Sequence, residues 1–153
     1  DGRPLLEPPT DDAWAQFIEV VDLAAFTLRA ATDARTGPVD ATGLPAPLAE
    51  VLDACASAAE FHGERHTAKA DWLLEHDVTY WMGPRSLPLW LPTDMPGFAR
   101  RDTSRFQSWG GTTVPLAETV AGVLADERAR GLERERRSGL TRADELALLD
   151  ALP

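Results

Sequence analysis

The stretch from Gln16 to Ala24 constrains this chain more than any other. Gln16-Phe17-Ile18-Glu19-Val20 is rich in β-formers, and Asp22 then stands where a helix N-cap belongs. From Leu23 to Ala31 the residues are Leu, Ala, Ala, Phe, Thr, Leu, Arg, Ala and Ala, the pattern of an almost wholly apolar, buried helix. Gly37-Pro38-Val39-Asp40-Ala41-Thr42-Gly43 follows and predicts a short strand between turn formers. Strand, capped helix and strand make a fragment of an α/β sheet, because a parallel crossover needs more sheet than two strands provide. The expectation is that further sheet lies upstream. The opening Asp1-Gly2-Arg3, without an initiator Met, reads the same way, as a processed, excised or partial product.

A length of 153 residues supports one core and is short for two complete domains. A net charge of −10 argues against non-specific binding to nucleic acid or to an anionic membrane surface. No apolar run approaches the roughly 20 residues that cross a bilayer, and no signal peptide is recognisable. Basic residues cluster only between Arg128 and Arg142, where they alternate with acids as on a solvated face. The single cysteine, Cys55, excludes an internal disulfide and fits a reducing, cytoplasmic compartment. With Leu48, Val51 and Leu52 on the same helical pattern, it reads as a small buried core residue.

Other elements follow from spacing. Arg3 to Glu7 predicts an edge strand stopped by Pro8-Pro9. Apolar residues at 48, 51, 52, 55 and 59 predict a helix over 47–58. Arg65 to Ala68 predicts a short strand, and Asp71 the cap of a helical turn through Trp72, Leu73, Leu74 and His76. Thr103 to Ser108 reads as a short helix closed by Gly110-Gly111, and Pro115 opens a longer one carrying Leu116, Val120, Val123 and Leu124. Asp126–Arg130 and Glu133–Arg137 have the acid-before-base order of exposed helix. Thr141 and Asp144 resemble a capping box opening a terminal helix with Leu146, Leu149 and Leu152.

No period fits Thr79 to Phe98, where Pro84, Pro88, Pro92 and Pro96 interrupt a run of large apolar residues. Apolar side chains on an irregular segment must fold onto the core or line a pocket. Tyr80, Trp81, Met82, Leu89 and Trp90 are therefore the candidate substrate-binding residues, expected to share one concave apolar surface. Trp14, Phe17 and Trp109 read as packing residues. His62 and His66, flanked by Glu60 and Glu64, have metal-like spacing, but Gly63 interrupts any helix that would align them. His76 reads as a helix-end dipole partner. Ser57, Ser86, Ser104 and Ser108 have no nucleophile-elbow context, and Asp11-Asp12 reads as a polar loop with no catalytic role.

Taken in order, these pieces resemble the C-terminal part of extended short-chain dehydrogenases/reductases, the NAD-dependent epimerase/dehydratase-like family. The segment from Gln16 to Ala24 is similar to that family's entry into a helix at the sheet edge. Gly37 to Gly43 is similar to its "Gly, x, aromatic/Val, Asn, Ala, x, Gly" strand, with Asp40 at the Asn position. Ala49 to Cys55 resembles the helix that follows. Asp102, Ser104 and Arg105 resemble its "Asp, x, Ser, Arg/Lys" segment, and Pro115 to Val120 its closing helix. Leu73-Leu74-Glu75-His76 and Leu87-Pro88-Leu89-Trp90-Leu91-Pro92 resemble phrases of a bacterial reductase subgroup.

The resemblance implies an α/β fold: a remnant of a parallel Rossmann-type sheet plus a mainly helical C-terminal substrate-binding lobe. Residues 1–153 would form a single C-terminal substrate-binding region, with the nucleotide-binding half absent. It also implies a small carbonyl or hydroxy substrate, NAD or NADP in the complete enzyme, and a nucleotide-binding half as partner. Several working parts of the family do not occur. There is no G-x-G-x-x-G, the sole tyrosine Tyr80 has Pro84 where a lysine would stand, and no Arg precedes Pro96-Gly97. The chain alone is therefore expected to carry no catalytic or cofactor-binding residue, to bind no NAD(H) or NADP(H), and, through uncovered apolar faces, to self-associate or be marginally stable. The alternatives are a stand-alone module binding a small molecule or a partner protein, and a cofactor-free isomerase or lyase.

Overall fold

Two apolar clusters, each drawing on distant parts of the chain, organise the computed structural model, which describes residues 2–153. In chain order the elements are β1 (Leu5–Glu7), β2 (Trp14–Ala15), α1 (Val20–Thr32), β3 (Ala46–Pro47), α2 (Leu48–Ala58) and β4 (Arg65–Thr67). Then come α3 (Ala70–Glu75), β5 (Thr79–Tyr80), β6 (Ser86–Leu87), α4 (Ser104–Ser108), α5 (Leu116–Arg130) and α6 (Arg142–Asp150). The fold class is α/β. Its strands form three two-stranded sheets: β1 parallel to β4, β2 antiparallel to β3, and β5 parallel to β6.

The first cluster joins Leu6, Ala68, Leu73, Val78, Trp90 and Leu148, and so ties the two ends of the chain together. The tie is polar as well. The Leu6 N–H donates to Glu145 Oε1 at 3.0 Å, and Arg142, paired with Glu145 at 2.6 Å, donates to the Pro4 carbonyl at 3.0 Å. The second cluster gathers Ala15, Leu48 and Val51, with Phe17, Leu89 and Leu116 against it. The capping box of α6 forms as its spacing predicts: the Asp144 N–H donates to Thr141 Oγ1 at 3.1 Å. No helix among the described residues is long and apolar enough to cross a membrane.

The strands expected at Gln16–Val20 and Val39–Ala41 do not form, and these segments share no sheet. Extended pairing is shifted to Trp14–Ala15, which aligns with Ala46–Pro47. Beyond it, the Phe17 carbonyl accepts from the Gly43 N–H at 2.9 Å. The Gln16 side chain then takes over, donating to the carbonyls of Gly43 and Arg101. Around Val39 the backbone is likewise held by side chains. Arg105 donates to the Pro38 carbonyl at 2.7 Å, and Asp40 pairs with Arg101 at 3.3 Å. The two segments are neighbours without a ladder.

Several local expectations are also corrected. α1 starts at Val20, and its cap is Glu19, whose carboxylate accepts from the Val21 N–H. Asp22 lies in the first turn instead and accepts from the Val114 N–H at 2.8 Å. The helix buries only Phe26, which meets Phe106 with ring centroids 4.7 Å apart. Val20, Val21 and Leu28 are 71%, 68% and 71% exposed, because packing reaches one side of α1 only. Lys69, not Asp71, is the cap residue of α3, and it makes no side-chain cap bond. Cys55 is exposed rather than buried, because the second half of α2 runs past the Ala15–Leu48–Val51 cluster. Past Gly131 the chain is irregular. Asp126–Arg130 pairs at 3.3 Å as expected, but Glu127 gathers Arg134 and Arg136 where the helix was to continue.

Candidate functional site

The irregular stretch from Thr79 to Arg100 is held by hydrogen bonds that replace regular structure. Trp81, Arg85 and Leu89 take left-handed φ values of 65°, 51° and 66°, which turn the chain sharply at each point. Ser86 is fully buried; its hydroxyl donates to the Gly83 carbonyl at 2.7 Å and accepts from the Gly139 N–H at 3.1 Å. Arg85 pairs with Asp144 of α6 at 2.5 Å and donates to the His76 carbonyl at 2.9 Å. The Trp81 N–H donates to the Trp90 carbonyl, closing the loop and bringing the Tyr80 and Trp90 rings within 4.1 Å.

This loop forms one wall of a cavity of about 400 Å³. Trp90, 2% exposed, and Tyr80 line it, as do Leu91, Pro92, Met95 and Ala99. Trp14 of β2 and Ala70 of α3 also contribute to the lining. Asp11, Asp12 and Arg100 bring charge to the lining, and all three are exposed residues. The Arg100 guanidinium lies over the Trp14 ring, 4.9 Å from its centroid. The cavity is mostly apolar with a few polar groups, the composition typical of small-molecule sites.

The five candidate residues do not share this surface. Tyr80 and Trp90 line the cavity. Trp81 turns away and meets Phe98 edge to face, with centroids 5.1 Å apart. Met82 is exposed, and Leu89 packs on the Ala15–Leu48–Val51 cluster. The left-handed turns at Trp81 and Leu89 redirect these side chains, and no periodicity encodes such turns. Trp14, Asp11, Asp12 and Arg100 were not anticipated as cavity residues. The available signal was charge doublets, Asp11-Asp12 and Arg100-Arg101, close to aromatic residues.

Other reactive side chains are accounted for structurally. His76 sits at the C-terminal cap of α3, stacked on Trp72 at 3.9 Å with Nδ1 2.8 Å from the Trp72 carbonyl. His66 on β4 lies 3.3 Å from Glu64, and no metal-binding group of three or more such side chains occurs among the described residues. Asp102 accepts from the backbone N–H and hydroxyl of Ser104, bonds that hold its carboxyl below the usual range. Desolvation pushes the Cys55 thiol up, away from the reactive thiolate.

Four of the longer helices carry acids at their N-terminal ends. A dinucleotide's diphosphate needs backbone N–H groups at an N-terminus free of competing anions. Asp22, Glu50, Glu118 and the Asp144–Glu145 pair occupy the first turns of α1, α2, α5 and α6. Comparison with known proteins returns no match, whether with family models, curated proteins or solved structures.

Proposed function

We propose that this chain is the substrate-binding part of an NAD(P)-dependent oxidoreductase of the epimerase/dehydratase-like kind, working with a separate nucleotide-binding half. The pocket lined by Trp14, Tyr80, Trp90 and Arg100 supports this reading, because its lining is mostly apolar with a few polar groups. The dinucleotide belongs to the other half, since acids in the first turns of α1, α2, α5 and α6 oppose a diphosphate there. The exposed outer face of α1, with Val20, Val21 and Leu28, is where that half docks. Its strands extend the one backbone hydrogen bond between Gly43 and Phe17 into a sheet. The substrate is a small carbonyl or hydroxy compound rather than a nucleotide sugar, in keeping with the apolar lining. A cytoplasmic location goes with this reading and with the lone, unbridged cysteine.

Hydrogen exchange tests the docking. Fusing a nucleotide-binding half of this family upstream should protect the amides of residues 16–43. Unchanged exchange there would refute it.

A further inference from the structure

Trp14 is flanked in sequence by the two devices that bring charge to the cavity. Before it comes a tight turn, in which the Ala13 N–H donates to the Thr10 carbonyl at 3.1 Å. Asp11 and Asp12 are the corner residues of that turn, and Asp12 takes a left-handed φ of 54°, which Asp tolerates. After Trp14, the Gln16 side chain clamps the backbone of Arg101, donating to its carbonyl at 3.0 Å and accepting from its N–H at 2.8 Å. The clamp holds the neighbouring Arg100, whose guanidinium lies 4.9 Å from the centroid of the Trp14 ring.

Asp11, Asp12 and Arg100 all line the cavity, and none of the three forms an ion pair among the described residues. A ligand with a single charge meets both help and opposition here. An anion gains Arg100 and is opposed by the two aspartates; a cation gains the aspartates and is opposed by Arg100. A molecule carrying both charges uses all three groups. The lining at Tyr80, Trp90, Leu91 and Pro92 is apolar and suits a hydrocarbon body. The volume of about 400 Å³ lies near the small end for ligand pockets.

Resting on the cavity as the ligand pocket of the proposed function, we infer that its ligand is a small zwitterion with an apolar body, the class to which apolar α-amino acids belong. The ammonium faces Asp11 and Asp12, and the carboxylate pairs with the N–H edge of Arg100. The apolar part covers the lining at Tyr80 and Trp90. Removing either charge from the ligand leaves a charged lining group unanswered and another opposed, so acids and amines of the same size bind more weakly.

Three compounds with one ring provide the test: L-phenylalanine, 3-phenylpropanoate, which lacks its ammonium, and 2-phenylethylamine, which lacks its carboxylate. Each is titrated by calorimetry at neutral pH into the chain, into Arg100→Gln, and into the double variant Asp11→Asn with Asp12→Asn. Asn tolerates the left-handed φ at position 12 as Asp does, and all three residues are exposed, so circular dichroism should show the variants folded. Phenylalanine should bind at least about fivefold tighter than either single-charge compound, the upper range for one exposed ion pair. Arg100→Gln should bring phenylalanine down to the affinity of the amine, and the double Asn variant to that of the acid. A single-charge compound binding within about twofold of phenylalanine, or a preference for phenylalanine that survives both variants, overturns the zwitterion assignment and leaves the cavity as a ligand site. Failure of all three compounds to bind overturns both.

Discussion

Replacing Trp90 by Ala should destabilise the fold and enlarge the cavity at the same time. Trp90 is 2% exposed and packs in the cluster with Leu6, Leu73, Val78 and Leu148, so truncation removes an aromatic body from a joint between the two chain ends. Aromatic-to-Ala changes in cores cost about 3–5 kcal/mol. One side of Trp90 faces a cavity rather than packed protein, so the lower end applies, about 3 kcal/mol. Domains of this size are stable by roughly 5–15 kcal/mol, which makes the loss a large fraction. The corresponding fall in melting temperature is about 6–12 °C. Urea unfolding followed by far-ultraviolet circular dichroism avoids signals from the altered tryptophan. Met82→Ala is the control; Met82 is 64% exposed and should cost no more than about 0.5 kcal/mol. A loss below about 1 kcal/mol for Trp90→Ala, or an equal loss for Met82→Ala, would refute the placement of these residues.

Three further outcomes follow from the contacts. Ser86→Ala should cost about 1 kcal/mol, because it removes two hydrogen bonds while the Gly139 N–H still donates to the Gly83 carbonyl at 3.2 Å; urea midpoints with unchanged slope would show it. The Thr141 hydroxyl, and after it the Arg85 guanidinium, holds the Asp144 carboxyl below its ordinary value of 3.8. A depressed folded pKa stabilises above 3.8, and that contribution is lost as pH falls through the lower folded value. Asp144→Asn should therefore reduce stability at neutral pH and flatten the acid limb of the stability curve, measured by urea unfolding across pH. Val21→Asp combined with Leu28→Asp should leave monomer stability within about 0.5 kcal/mol while suppressing self-association in sedimentation velocity. Unchanged association would place the sticky surface elsewhere.

What was legible in the sequence divides along the range of the interactions. The helices near 47–58, 104–108, 116–130 and 142–150 rest on local periodicity, prolines and a capping box, and they appear close to the expected bounds. Strand placement depends on partners distant in sequence. At Gln16 a side-chain amide displaced the backbone ladder, which no alternation of residues could signal. Cys55 kept its apolar register but lost its cover, because α2 outruns the cluster it packs on. The cavity was half visible. Tyr80 and Trp90 were singled out for lying in a proline-broken apolar segment, whereas Trp14 and Arg100 join them only through the tertiary fold. Left-handed turns at Trp81 and Leu89, residues that rarely adopt them, sent three of the five candidates elsewhere.

The proposed division of labour between this chain and a nucleotide-binding half is tested most directly by calorimetric titration with NADPH, first into the chain alone and then into its fusion with such a half. The account predicts no binding heat for the chain alone, and dinucleotide binding with reductase activity in the fusion. Micromolar binding of NADPH by the isolated chain would contradict it.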